Sequence, residues 1–190
     1  KANTSTEIKM YDVGAAGTTM RFLTAYLATK KGVNCILTGS ERMQNRPIGI
    51  LVDALRDLGA KIGYVEKEGY PPLMIKGNEL EGGEVLIDGN VSSQYITALL
   101  LVSTQFKNGL TIKFKGEITS RPYINMTLRM LEQFLIPTEW KGNSIIVKKR
   151  VELAQTESYS VEGDWSSASY WFAIAALSAE ADFKIKGLNY

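Results

Sequence analysis

The chain has 190 residues, and 22 Lys+Arg against 20 Asp+Glu leave a formal charge of only +2. That balance argues against a nucleic-acid partner, which needs a basic surplus on one face. Hydrophobic residues make up 45%, enough for one core and a small second domain. Histidine is absent and Cys35 is the single cysteine. Ser-His-Asp triads, Cys-His pairs, His-metal sites and an internal disulfide are therefore excluded.

In chain order, Asp12-Val13-Gly14-Ala15-Ala16-Gly17-Thr18 precedes an apolar helical run, and Val33–Leu37 reads as a strand. Arg46-Pro47 opens an amphipathic run with Ile48, Leu51, Val52, Leu55 and Leu58 on one face, matching a period of about 3.6. Gly59-Ala60-Lys61-Ile62 closes that helix and starts a strand. Leu73–Lys76 and Val85–Asp88 follow as strands. Asp88-Gly89-Asn90-Val91-Ser92-Ser93 precedes a second apolar helix, and Leu110–Phe114 is the next strand. Arg121-Pro122 opens a run with Ile124, Leu128, Leu131 and Leu135 on one face, before a strand at Ser144–Val147. Glu162-Gly163-Asp164-Trp165-Ser166-Ser167 precedes a third helix, and Lys184-Ile185 reads as a strand.

These signals repeat. Gly14 and Gly89 are 75 positions apart, Gly89 and Gly163 are 74, and Arg46-Pro47 and Arg121-Pro122 are again 75. Strands alternating with helices of about 10–15 residues predict an α/β fold built on a repeated unit. The chain opens Lys-Ala-Asn without Met and stops just after a predicted strand, which suggests a fragment. No run of about 18 apolar residues and no signal peptide is present, so a cytoplasmic protein without membrane attachment is expected.

Thr18, Ser93 and Ser167 sit where helix caps are expected. The same open N–H groups and helix dipole can hold an anion. Arg42, Arg46 and Arg121 fall at strand-to-helix junctions and Arg21 in a first helical turn, and arginine suits planar carboxylates and phosphates. Together they predict a small anionic, phosphorylated ligand, with one anion site per repeat. Cys35 reads as a small hydrophobe in a buried strand, Lys148-Lys149-Arg150 as a solvated strand end, and Glu66-Lys67-Glu68 as hairpin charge. Glu162 and Asp164 flank a turn glycine. No metal-ligand spacing is present.

Gly14-Ala15-Ala16-Gly17-Thr18-Thr19-Met20-Arg21 resembles the Gly-Asn-Ala-Gly-Thr-x-Met-Arg segment of the 5-enolpyruvylshikimate-3-phosphate synthase family. Arg42-Met43 through Arg46-Pro47-Ile48-Gly49 resembles its Arg-Met-x-x-Arg-Pro-Ile-Gly segment. Gly69-Tyr70-Pro71-Pro72, Ser92-Ser93-Gln94, Ser120-Arg121-Pro122-Tyr123 and Val161-Glu162-Gly163-Asp164 follow in the family's order. Two positions depart: the family's Asn falls on Ala15 and its Pro on Phe22.

The resemblance implies a two-domain enolpyruvyl transferase fold of βαβαββ units. Residues 1–161 would be two units of the N-terminal substrate-binding domain, and 162–190 the start of the second. It implies transfer of the enolpyruvyl group of phosphoenolpyruvate to the 5-hydroxyl of shikimate 3-phosphate, in a monomer that uses no metal or organic cofactor. By the family pattern Gly17 and Arg46 serve phosphoenolpyruvate, and Gln94 touches both ligands. Ser92, Ser93, Ser120 and Tyr123 hold shikimate 3-phosphate, with Thr18, Arg21 and Arg42 in support. The acid and base would lie outside this chain, which alone is expected to be inactive. An enolpyruvyl transferase acting on UDP-N-acetylglucosamine and a non-catalytic anion-binding domain are the alternatives.

Overall fold

The computed structural model describes residues 8–149 and 159–188. They fall into two compact units.

In the first, β1 (Lys9–Asp12), α1 (Gly17–Ala28), β2 (Asn34–Thr38), a short α2 (Glu41–Gln44), α3 (Gly49–Asp57), β3 (Lys61–Tyr64) and β4 (Leu73–Lys76) form one repeat. The next repeat is β5 (Gly83–Asp88), α4 (Ser93–Val102), β6 (Leu110–Lys115), α5 (Arg121–Gln133), β7 (Thr138–Lys141) and β8 (Ser144–Val147). The two sheets have the same order, β1-β2-β4-β3 and β5-β6-β8-β7. In each, the first two strands run parallel across a helix, and the other pairings are antiparallel. The expected α/β fold on a repeated βαβαββ unit is therefore present.

Two strands escape a reading of the residues one by one. β1 is exposed along its whole length and β7 is at most half-buried. Both lie at a sheet edge and bury no residue, so the sequence signal is weak, unlike the edge strand β5, which alternates buried and exposed residues.

The helices explain the common core. α4 buries Tyr95, Ile96, Ala98, Leu99, Leu100 and Val102, apolar positions on nearly every side. It packs against α1, α3 and α5. α3 and α5 turn single apolar faces inward, with Ile48, Leu51, Val52, Leu55 and Leu58 buried in one, and Ile124, Leu128 and Leu131 in the other. Cys35 is fully buried in β2, as expected, and burial pushes its thiol pKa up. Phe22, where the family carries Pro, leaves α1 unbroken and lines an apolar groove with Tyr26, Ala98 and Val102. Glu66, Lys67 and Glu68 lie exposed between β3 and β4. Lys148 and Lys149 are exposed after β8, and Arg150 lies outside the described residues.

The Arg-Pro pairs are not equivalent in detail. Arg121 and Pro122 are the first residues of α5, whereas Arg46 and Pro47 precede α3, which starts at Gly49. Leu135 does not share the buried face of α5. It follows the helix, is 66% exposed and adopts φ +57°. The reason is the helix end: Leu135 N donates to Glu132 O at 2.9 Å and Ile136 N to Leu131 O at 3.0 Å. This is a Schellman closure, which puts its turning residue in the left-handed region. α3 closes the same way, with Gly59 N to Arg56 O and Ala60 N to Leu55 O, both 2.9 Å, and Gly59 at φ +97°. One repeat uses Gly at this turn, the other Leu.

In the second unit α6 (Trp165–Leu177) follows the third glycine signal, as expected. Its cap is Asp164, not Ser167. Asp164 Oδ1 accepts from Ser166 N at 2.9 Å, and Oδ2 from Ser167 Oγ at 2.6 Å. The Ser167 hydroxyl first, then the Ser166 N–H, holds this carboxyl below the usual carboxylate range. Lys184-Ile185 is not a strand. A strand exists only through a ladder, and residues 181–186 pair with no strand among the described residues. Phe183 instead packs on Phe172, ring centroids 6.3 Å apart, and Gly163 N donates to Gly187 O at 2.7 Å. No described helix is long and apolar enough to cross a membrane.

Candidate functional site

The two repeats meet at the starts of their first helices. α1 begins after Ala16, whose methyl side chain cannot cap it, so Thr18 is not its cap. α4 begins after Ser92, whose Oγ accepts from Gln94 N at 3.3 Å; Ser93 is the first residue of the helix and not its cap. Gln94 Nε2 then donates to Thr18 Oγ1 at 3.1 Å. One side-chain bond thus links two helix N-termini from different repeats, both carrying positive dipole ends.

Arginines complete the cluster. Arg46 is exposed, and its guanidinium lies directly against Gly17: a Cβ there would overlap Nη1 of Arg46 and come within 3.0 Å of Nη1 of Arg21. A side chain there would displace the exposed, flexible Arg46 fork from this position. Arg21 is only 5% exposed. It lies in the second turn of α1 and not the first, because the helix already starts at Gly17, and it donates from Nη1 to Gly17 O at 2.9 Å and from Nη2 to Pro47 O at 3.4 Å. The Tyr95 ring is 5.9 Å from its Cζ.

Among the described residues no carboxylate pairs with Arg21, Arg42, Arg46 or Arg121. A buried guanidinium held by two carbonyls, the Met43 Sδ at 3.8 Å and a ring face, with no carboxylate among its described partners, lies next to an exposed Arg46 and an uncapped helix start and makes a local positive field. Such a field suits an anion that approaches the backbone at Gly17. Among the described residues no group of three or more His, Cys, Asp or Glu could hold a metal ion.

The remaining expected residues lie less close. Ser92 and Ser93 share the start of α4 with Gln94. Ser120 precedes α5 and makes no side-chain cap. Its loop is tied to the turn before α4, because Thr119 N donates to Gly89 O at 3.2 Å. Tyr123 is 63% exposed on the first turn of α5. Arg42 is exposed on α2, and no hydrogen bond or ion pair among the described residues joins it to Arg21 or Arg46. Arg121 places its guanidinium over Trp140, 4.6 Å from the ring centroid, so of the two Arg-Pro pairs only the first supplies a guanidinium to the cluster.

The sequence profile of the family described as EPSP synthase (3-phosphoshikimate 1-carboxyvinyltransferase) matches residues 1–190. The chain belongs to the EPSP synthase family. It is 52% identical over 180 residues to a 3-phosphoshikimate 1-carboxyvinyltransferase of Bacteroides fragilis, covering 95% of this chain and 43% of that protein. It is 46% identical over 178 residues to the protein of the same name from Sulfurovum, covering 93% and 41%. Its fold is similar to that of EPSP synthase from Acinetobacter baumannii, with a TM-score of 0.71 and 27% identity over 90% of this chain and 37% of that one. The chain thus spans less than half the length of these family members.

Beside this cluster, residue-by-residue reading missed Tyr95. Its hydroxyl donates to Pro47 O at 2.7 Å, and the residue is 8% exposed. The available signal was its place directly after Ser92-Ser93-Gln94, on the same helical turn.

Proposed function

We propose that this chain, within a protein of the family's full length, serves the transfer of the enolpyruvyl group of phosphoenolpyruvate to the 5-hydroxyl of shikimate 3-phosphate with release of phosphate. The observation that carries this reading is the junction of the two helix starts, with Gln94 on Thr18 and Arg46 against Gly17. It offers one continuous surface for two small anions. The names of the relatives at 52% and 46% identity support the same reaction.

In this reading Gly17 and Arg46 hold phosphoenolpyruvate. The Arg46 fork pairs with its anionic groups, and the bare backbone at Gly17 permits close approach. Ser92 and Ser93, joined by Ser120 and Tyr123, hold shikimate 3-phosphate. Gln94 lies between the two ligands, and Thr18, Arg21 and Arg42 support them. Fixed charges and dipoles of this kind stabilise charge that develops in a transition state without reorganising. The acid and base come from parts of the family fold beyond this chain. Residues 162–190 start the second domain, and the enzyme works in the cytoplasm as a monomer without metal or organic cofactor.

The test is phosphate release by the full-length protein. Release is expected only with both phosphoenolpyruvate and shikimate 3-phosphate, and the 190-residue chain alone releases none. Release with UDP-N-acetylglucosamine as acceptor, or none with shikimate 3-phosphate, would overturn the reading. Calorimetric titration of shikimate 3-phosphate, with Ser93→Ala beside it, locates the second ligand.

A further inference from the structure

We propose that Tyr95 is a positioning residue that fixes the Arg46 guanidinium over Gly17. This rests on the reading of Gly17 and Arg46 as an anion site and goes beyond it, because Tyr95 belongs to the other repeat.

Arg46 and Pro47 lie between helices: α2 ends at Gln44 and α3 begins at Gly49. No helical ladder therefore holds the Pro47 carbonyl. It is held by two side chains, the Tyr95 hydroxyl at 2.7 Å and Arg21 Nη2 at 3.4 Å. The shorter bond comes from Tyr95. On either side, Arg46 N donates to Met43 O at 3.0 Å and Ile48 N to Gly69 O at 2.9 Å. The Tyr95 bond anchors the carbonyl of the residue directly after Arg46, between those two backbone bonds.

Tyr95 is nearly buried, so its hydroxyl bond is little exchanged with water. Its ring also lies near Arg21, which bonds Gly17 O. One side chain thus touches both supports of the anion site: the backbone that carries Arg46 and the arginine that bonds Gly17. Neither the ring nor the hydroxyl needs to meet a ligand for this role.

The test is Tyr95→Phe in the full-length protein, which keeps the buried ring and removes only the hydroxyl, with Tyr26→Phe on the exposed side of α1 as control. The first readout is inorganic phosphate titrated against the Arg46 Nε–Hε NMR signal. Tyr95→Phe is expected to weaken phosphate binding about three- to tenfold, as for loss of one neutral hydrogen bond, and Tyr26→Phe to leave it unchanged. The second readout is kinetic: the KM for phosphoenolpyruvate rises by a similar factor, while kcat and the KM for shikimate 3-phosphate stay within twofold. Phosphate affinity within twofold of wild type, no Arg46 response to phosphate in the wild type, or a uniform change of both KM values with a lowered melting temperature would overturn the proposal. The phosphate arm decides it even if the wild type fails to turn over phosphoenolpyruvate with shikimate 3-phosphate, a result that would refute the reaction and not the positioning role.

Discussion

The guanidinium of Arg46 occupies the space that a β-carbon at Gly17 would take. Gly17 opens α1, where Ala is the better helix former. Gly17→Ala is therefore expected to leave the melting temperature little changed while pushing Arg46 away. Losing a charge-assisted bond of about 1.5–3 kcal/mol weakens anion binding about ten- to a hundredfold. Titration of phosphoenolpyruvate into the full-length variant checks this, and unchanged affinity would show that Arg46 does not hold the ligand.

The matched helix ends at Gly59 and Leu135 predict substitutions of opposite sign. Both residues turn with positive φ, and no heavy atom lies within 4 Å of a Cβ built at Gly59. Gly59→Ala should destabilise by about 1 kcal/mol through backbone strain alone, and Leu135→Gly should stabilise by up to about 1 kcal/mol. Leu135 is 66% exposed, so little burial is lost. Urea midpoints of the two variants decide it; a Leu135→Gly variant less stable than wild type would contradict the account.

Asp164 predicts a pH response at the start of α6. Its carboxyl is held low by the Ser167 hydroxyl and the Ser166 N–H. A depressed folded value contributes stability that is present above the ordinary aspartate value, about 3.9. That contribution is lost as pH falls through the lower folded value. The Ser166 and Ser167 amide NMR signals should move together at a midpoint below an ordinary aspartate. Asp164→Asn should abolish that step while keeping the helix capped.

Cys35 predicts a chemical probe of unfolding. It is fully buried and its thiol is pushed up by desolvation, so the thiolate is suppressed in the folded chain. Labelling by a thiol reagent at pH 8 should be slow in the native protein and rise with denaturant along the unfolding curve. Fast labelling without denaturant would place Cys35 at the surface.

Much of the fold was legible in the chain because it rests on local spacing. The 75-residue recurrence of glycine and Arg-Pro signals, the apolar faces of α3 and α5, and the branched strands β2, β4, β5, β6 and β8 follow from side-chain periodicity, which a linear sequence records directly. Strands β1 and β7 were not legible, since neither buries a residue and so neither leaves a pattern, whereas the edge strand β5 alternates buried and exposed residues. Lys184-Ile185 misled for the converse reason: a branched residue such as Ile185 favours a strand, but only a partner makes one.

The same division holds at the site. The sequence by itself determined which groups are available: Gly17, Thr18, Arg21, Arg46, Ser92, Ser93 and Gln94, all beside helix starts and suited to anions. Tertiary structure alone decided which of them meet. Thr18 and Gln94 stand 76 positions apart and touch because α1 and α4 pack side by side. Arg46 lies against Gly17 from the segment whose Pro47 carbonyl accepts from Tyr95 and Arg21, whereas Arg121 lies over Trp140. Spacing along the chain fixes which side chains share a helix face; contact between helices depends on how buried apolar surfaces pack, and that no short motif encodes.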